Sequence, residues 1–500
     1  MNKRNAGRIL ESLLGIIAVA AAVLYRVQLE LCQPDYKDRF QWAKNLTEGL
    51  LPYRDFNMLQ TPLSLYYYSI FFRFSHSLHT GLLAASLLIV LTGVFLFLIA
   101  RRINRKALYL PAALWTVFSV LGQGAIYTSM SVLLWSAALY LYFSYRDRRT
   151  VWKLLVIGML CGMCFFAKQN IGALCAFSLG LCFIYHWART KTPLKTALVH
   201  ICCLLGSYAA CWGIWLLWFV KCGILRDFAD SCLFSAGAFT AAHGGLSALS
   251  YLGFNLAAIL AVGLLLKQPE IALTGFFMTL IAYPIYNNPC IFPSYSMFAV
   301  LLASLKMPEN SGKIRKVLYA AAGIIGYLTA FYELAVAQVS CRPDILYRKL
   351  RLGDARVVME TENGDIKTAV TFLEEHFGDG LLPYLEAHRA ELSDYHIADT
   401  LGAFYNIYFD RYDQYYDLFL SGNLGSKTPQ DVVDETIRNE SGHYFIVWAD
   451  PTDPDPQSVP GFQDDAVMAA IDSIRQRCIL TETLYQAGGV YPSYSIYQIP

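Results

Sequence analysis

The sequence predicts a polytopic α-helical membrane protein that ends in a soluble α/β domain, and three observations predict it. Of 500 residues, 56% are hydrophobic and 16% charged, far from the roughly 25% charged content of soluble domains. Apolar stretches of about 20 residues, the length that spans a hydrocarbon core of about 30 Å, recur through the first two thirds of the chain. Charge is also divided, because residues 342–500 hold 26 Asp and Glu against 12 Lys and Arg, leaving 12 acids and 28 bases in residues 1–341. A basic membrane portion joined to an acidic soluble portion explains the small net charge of +2 and gives no reason to expect a nucleic-acid partner.

Hydropathy places about eleven spans, near 9–28, 81–100, 107–122, 125–144, 152–167, 170–187, 196–220, 250–266, 271–286, 293–306 and 317–338. The first follows Met-Asn-Lys-Arg without a small-residue cleavage site, so it reads as a retained signal anchor. Short cytoplasmic loops carry excess Lys and Arg. Every second connection fits that rule: Lys3/Arg4/Arg8, Arg101/Arg102/Arg105/Lys106, Arg146/Arg148/Arg149/Lys153, Arg189/Lys191/Lys195, Lys267, and Lys306/Lys313/Arg315/Lys316. The alternation predicts a multi-pass protein of the cell membrane with a cytoplasmic N-terminus, and an odd number of spans puts residues 341–500 outside the cytoplasm.

Residues 341–500 carry soluble patterning, with amphipathic helices expected at Thr368 to Phe377, Asp431 to Asn439 and Ala466 to Cys478, and strands at Tyr444 to Trp448 and Tyr494 to Gln498. Pro451, Pro454, Pro456 and Pro460 mark a long exposed loop. Most of the 13 cysteines, such as Cys161, Cys164, Cys175, Cys182, Cys202 and Cys203, sit in apolar runs and read as small buried hydrophobes. Cys32, Cys222, Cys232, Cys290, Cys341 and Cys478 fall on the predicted outer side, where disulfides form. No cluster with metal-ligand spacing is legible, so no cofactor is assigned, although the composition leaves a divalent metal open.

Chemistry is expected in the first external loop, residues 30–80 of the membrane portion 1–340. Five acids of that portion collect there, Glu30, Asp35, Asp38, Glu48 and Asp55, together with Lys37, Arg39, Lys44 and Arg54. These bases break the topological pattern, which implies another task, and a connection this long usually has structure of its own. The loop reads Asp35-Tyr-Lys-Asp38, Phe40-Gln-Trp42-Ala43, Glu48-Gly49, Leu51-Pro52-Tyr53-Arg54-Asp55-Phe56 and Gln60-Thr-Pro62-Leu63. This stretch resembles the first external loop of the GT-C glycosyltransferases, specifically the protein O-mannosyltransferase and aminoarabinose-transferase-like group of glycosyltransferase family 39. Asp35 stands eight residues before Ala43, where the family places its loop acid. The family commonly has two adjacent acids, whereas here Pro34 and Tyr36 flank Asp35 and the next acid is Asp38, so the resemblance admits either as the base. It extends to Phe166-Ala-Lys168-Gln-Asn170-Ile-Gly172 at a helix end.

The resemblance implies a GT-C-like fold and transfer of a sugar from a polyprenyl-phosphate carrier to an extracytoplasmic glycan, lipid or protein, with inversion and with the lipid bilayer as a partner. Elementary chemistry assigns the roles. A carboxylate, Asp35 with Asp38 as its neighbour, takes the proton of the attacking hydroxyl, and fixed cations stabilise charge on the departing phosphate. Candidates for substrate contact are Arg54, Asp55, Lys168 and Arg226, with His243 a weaker polar contributor. Each has a plainer reading: Asp35 as a helix cap, Asp55 as the closure of a turn, Lys168 as a snorkelling lysine. Gly158 and Gly162 form a GxxxG pair that helix packing explains, and Glu333 is an acid inside the last span without an assigned role. Two other classes compete: a transporter or flippase for lipid-linked sugars, which calls for ionisable groups near the bilayer midplane, and a non-catalytic scaffold or receptor.

Overall fold

A computed structural model describes residues 3–28, 34–56, 58–75, 77–121, 126–234, 268–280, 297, 300, 358–360, 367–369, 381–398, 409, 413, 415–416, 419, 424–448, 465–484 and 494–500. The N-terminal part is helical: α1 (Lys3–Gln28), α2 (Pro34–Thr47), α3 (Leu63–Phe72), α4 (Leu78–Ile103), α5 (Leu110–Leu121), α6 (Ile126–Asp147), α7 (Val151–Ala167), α8 (Gln169–Arg189), α9 (Leu194–Cys222), α10 (Leu225–Ala229) and α11 (Pro269–Leu280). Among the described residues four helices are long and apolar enough to cross a membrane, at Gly7–Val27, His79–Ile103, Gln169–Arg189 and Leu194–Cys222. The apolar face of α9 is left uncovered by protein at Leu205, Ile214, Leu217 and Val220, as expected of a helix in contact with lipid. The expected spans at 250–266 and 317–338 lie outside the described residues, and of 293–306 only Met297 and Val300 are described.

Small residues let the helices approach. A Cβ at Gly158 would overlap the Leu204 carbonyl and the Ser207 hydroxyl, and one at Gly162 would stand 2.7 Å from Cys211 Cβ. The GxxxG pair is therefore the seam between α7 and α9. Cys161, Cys164, Cys175 and Cys182 are buried as expected, but Cys202, on α9, is exposed. Cys222, Cys232 and Cys478 are free thiols, and Cys32, Cys290 and Cys341 lie outside the described residues.

The bundle has two chemically different ends. At one, Arg8 Nη2 donates to the Lys106 carbonyl at 3.0 Å, Arg102 pairs with Asp147 at 2.8 Å, and Lys153 Nζ donates to the carbonyls of Ser144 and Arg148 at 2.7 and 2.9 Å. Arg146 there holds the buried Glu270 of α11 at 2.7 Å. The loop carrying α2 and α3 folds over the other end.

The C-terminal part contains β1 (Val358–Glu360), β2 (Lys367–Ala369), α12 (Leu381–Ala387), β3 (Tyr395–Ile397), α13 (Pro429–Asn439), β4 (Tyr444–Trp448), α14 (Asp465–Arg477), β5 (Ile479–Leu484) and β6 (Tyr494–Gln498). β1 and β2 form an antiparallel pair, and the second sheet runs β3-β4-β6-β5 with β3 parallel to β4 and the other pairs antiparallel. Thr428 opens α13 with a capping box, its hydroxyl taking the Asp431 N–H while the Asp431 carboxylate takes the Thr428 N–H. Val432, Val433, Val467, Ala470, Ile471 and Ile474 of α13 and α14 join Phe445, Ile446, Val447 and Ile496 of the sheet in one buried core. The expected helix at Thr368 to Phe377 begins as a strand: Thr368, a residue type at home in strands, pairs with Met359. Residues 370–377 lie outside the described set.

Candidate functional site

The Pro-Tyr-Arg-Asp-Phe stretch makes a closed turn. Tyr53 N–H donates to the Phe56 carbonyl at 2.9 Å, and Asp55 Oδ2 accepts from Leu51 N–H at 2.7 Å. Arg54 grips the same carboxylate with two bonds, Nε to Oδ1 at 2.8 Å and Nη2 to Oδ2 at 2.9 Å. The guanidinium, helped by the Leu51 amide, holds the Asp55 carboxyl below the usual carboxylate range. Asp55 thus serves the turn and fixes the direction of Arg54, which is half exposed. Tyr53 sits at φ 71°, a left-handed conformation that costs a non-glycine residue about 1–2 kcal/mol. Burial of its ring offsets this: the ring lies edge-on to Phe219 and Phe228 at 6.4 and 5.6 Å, and its hydroxyl donates to the Gln60 carbonyl at 2.8 Å. Phe56 stacks on Trp42 of α2 at 6.1 Å, tying the turn to the helix that carries the loop acids.

Two helix junctions meet this loop. Lys168 is extended (φ −161°, ψ 118°) and separates α7 from α8. Next to it, Gln169 Nε2 donates to the Leu59 carbonyl at 3.1 Å and the Cys232 carbonyl at 3.5 Å, while Thr61 Oγ1 donates to the Phe165 carbonyl at 2.8 Å. Gly223, at φ 72°, ends α9, and α10 follows with Arg226 exposed in its first turn. Phe228, two residues on, packs against the Tyr53 ring of the first loop. α10 runs into a π-helical turn, Asp230–Phe234, in which Cys232 Sγ donates to the Tyr53 hydroxyl at 3.5 Å. Burial pushes the Cys232 thiol up to about 12, so it remains protonated and acts as a packing group, not a nucleophile.

Arg54, Lys168 and Arg226 therefore stand on elements locked to one another at one end of the bundle. Asp35 and Asp38 occupy the first turns of α2, in the same loop, and their side chains lie outside the described residues, as do all of His243 and Glu333. The sequence reading missed two amides. Gln60 Oε1 and Gln169 Oε1 are shielded from solvent and accept no hydrogen bond among the described residues; their positions inside Gln-Thr-Pro and Lys-Gln-Asn were the available signal. It also missed Asp230, whose Oδ2 accepts the Ser426 N–H at 2.9 Å. That bond joins the segment ahead of α13 to the turn that follows α10. Gly425 is required there, because its φ is +67° and a Cβ would stand 2.7 Å from Asp230 Oδ2.

A separate apolar cavity of about 440 Å³ runs between α7, α8 and α9, against Ile157, Cys161, Leu179, Phe183 and Leu204, with no acid or amine in its lining. In comparisons with known proteins, no family model matches the chain and no curated protein matches it.

Proposed function

We propose that this chain is a membrane glycosyltransferase of GT-C type, with about eleven spans and an extracytoplasmic C-terminal domain. It moves a sugar from a polyprenyl-phosphate carrier to an acceptor hydroxyl outside the cytoplasm. The observation that carries this reading is the convergence, at the end of the bundle away from the basic connections, of a folded loop bearing acids with the elements that present Arg54, Lys168 and Arg226. The acceptor oxygen attacks the anomeric carbon as its proton passes to Asp35, with Asp38 beside it in sequence. The bond from that carbon to the carrier phosphate breaks on the opposite face, which inverts the centre. Charge left on the phosphate is met by the three bases, where scarce water makes fixed cations most effective. The Gln60 and Gln169 oxygens, which accept no hydrogen bond among the described residues, are acceptors for sugar hydroxyls.

The test is a transfer assay with full-length protein in liposomes, supplied with radiolabelled polyprenyl-phosphate sugars and a membrane-derived acceptor pool. Protein-dependent label in the acceptor supports the reading. Label that changes leaflet without changing carrier makes the protein a flippase, and carrier binding with neither outcome makes it a receptor.

A further inference from the structure

The parallel pairing of β3 with β4 sets His396 opposite Phe445, so His443, just ahead of β4, comes beside it and the two imidazoles stack at 5.9 Å. Glu440, the C-cap of α13, reaches both rings: Oε2 lies 2.7 Å from His396 Nε2 and 3.2 Å from His443 Nδ1. The three ligand atoms lie within 4.8 Å of one another. His443 Nδ1 is shielded from solvent, and among the described residues the Glu440 carboxylate at 3.2 Å is its polar neighbour, without good hydrogen-bond geometry. On the far side of His396, Nδ1 bonds Asp413 Oδ2 at 2.7 Å.

We propose that His396 Nε2, Glu440 and His443 Nδ1 form a binding site for a divalent transition metal ion of the zinc class, with Asp413 as the residue that orients His396. Tetrahedral zinc with bonds of about 2.0–2.1 Å holds its ligand atoms roughly 3.3 Å apart. The two carboxylate–imidazole separations are 2.7 and 3.2 Å and all three ligand atoms lie within 4.8 Å, so the Glu440–His396 pair opens by about 0.6 Å and the two imidazole nitrogens settle at about the same 3.3 Å when an ion binds. Two imidazole nitrogens with a single carboxylate suit zinc rather than calcium or magnesium, which take oxygen ligands. A carboxylate on the distal nitrogen is the usual partner of a metal-bound histidine, because it keeps the proton on Nδ1; Nε2, which now hydrogen-bonds Glu440 at 2.7 Å, exchanges that bond for the ion. His396 is nearly buried, whereas the side chains of Glu440 and His443 are 37% and 35% exposed, so an ion reaches the site from solvent and keeps a water as its fourth ligand. Once bound, it joins β3, the end of α13 and the start of β4. The site is separate from the first loop and independent of the transferase reading.

The test uses full-length, tag-free protein in detergent, stripped with a chelator and titrated with zinc chloride against a chromophoric zinc indicator. The expected result is one zinc per chain bound through nitrogen and oxygen donors by X-ray absorption. Affinity should fall at least about tenfold in His443→Ala and Glu440→Gln, and about 10–100-fold in Asp413→Asn, the range for loss of an outer-shell partner. His443 is partly exposed, so His443→Ala is expected to fold even if a change at His396 does not, and its thermal transition should no longer rise with zinc. No zinc uptake by the wild type, uptake unchanged in both His443→Ala and Glu440→Gln, or coordination by sulfur would overturn the proposal.

Discussion

Replacing Gly162 with Ala tests the packing that positions the site. A Cβ at Gly162 would stand 2.7 Å from Cys211 Cβ and 2.9 Å from its Sγ, against 3.4–4 Å for an ordinary contact. The shortfall to the Cβ is about 0.7 Å, and a Cβ cannot rotate away, so α9 as a whole must shift. Overpacking of this kind costs about 1–3 kcal/mol. For domains of 150–250 residues 1 kcal/mol moves Tm by about 2–4 °C, so a drop of roughly 2–12 °C is expected in detergent. Gly180 is the control, because nothing lies within 4 Å of a Cβ there; Gly180→Ala should be neutral or gain up to about 1 kcal/mol from helix propensity. Because α9 leads through Gly223 into α10 and the Cys232 turn, Gly162→Ala should also speed hydrogen exchange over residues 51–62, whereas Gly180→Ala should not. A Gly162→Ala protein as stable as the wild type, with unchanged exchange in that loop, would refute the close packing of α7 on α9.

Two further predictions concern the first loop. Asp55→Asn should loosen the turn by at most about 1 kcal/mol, the scale of a solvent-screened pair with the half-exposed Arg54, seen as faster proteolysis near residue 54. Since the folded Asp55 carboxyl lies below its usual value, its contribution is present at neutral pH and is lost as pH falls below about 4. The difference between wild type and variant should therefore close in that window, and a difference that persists at low pH would contradict the assignment. Arg54→Met and Lys168→Met should each weaken use of the lipid donor while leaving Tm nearly unchanged; wild-type donor dependence in both would move the phosphate contact to Arg226.

Much of the fold was legible because its causes are local. The strands Tyr444–Trp448 and Tyr494–Gln498 have the expected bounds, since each is an apolar run that a turn or loop sets off. The helix at Asp431–Asn439 was found, with its start two residues early at Pro429, where Thr428 supplies the cap. The first seven expected spans coincide with helices α1 and α4–α9. Elements that depend on distant partners were harder to read. The loop helix α3 is apolar enough to pass for part of a span, but at ten residues it is too short to cross, and its side chains bond outward to three other helices: Ser64 to the Ala167 carbonyl, Tyr67 to the Ala84 carbonyl, and Tyr66 from Trp218. The left-handed Tyr53 follows from rings on α9 and α10 more than 160 residues away, and no local pattern announces it. The histidine cluster was invisible for the same reason: His396 and Glu440 are 44 residues apart, and parallel pairing of short strands brings them together.

The most direct test of the transferase reading is the rate of sugar transfer by Asp35→Asn. The substitution keeps the size of the side chain and removes the lone pair that accepts the acceptor's proton, so donor binding and chemistry separate. Loss of a positioned base typically costs about 10²–10⁴-fold in rate. The account predicts that Asp35→Asn folds, binds the polyprenyl-phosphate sugar as the wild type does, and transfers it slower by that factor, with Asp38→Asn less affected. Near-normal turnover in Asp35→Asn with collapse in Asp38→Asn would move the base three residues along α2, and near-normal turnover in both would contradict the mechanism.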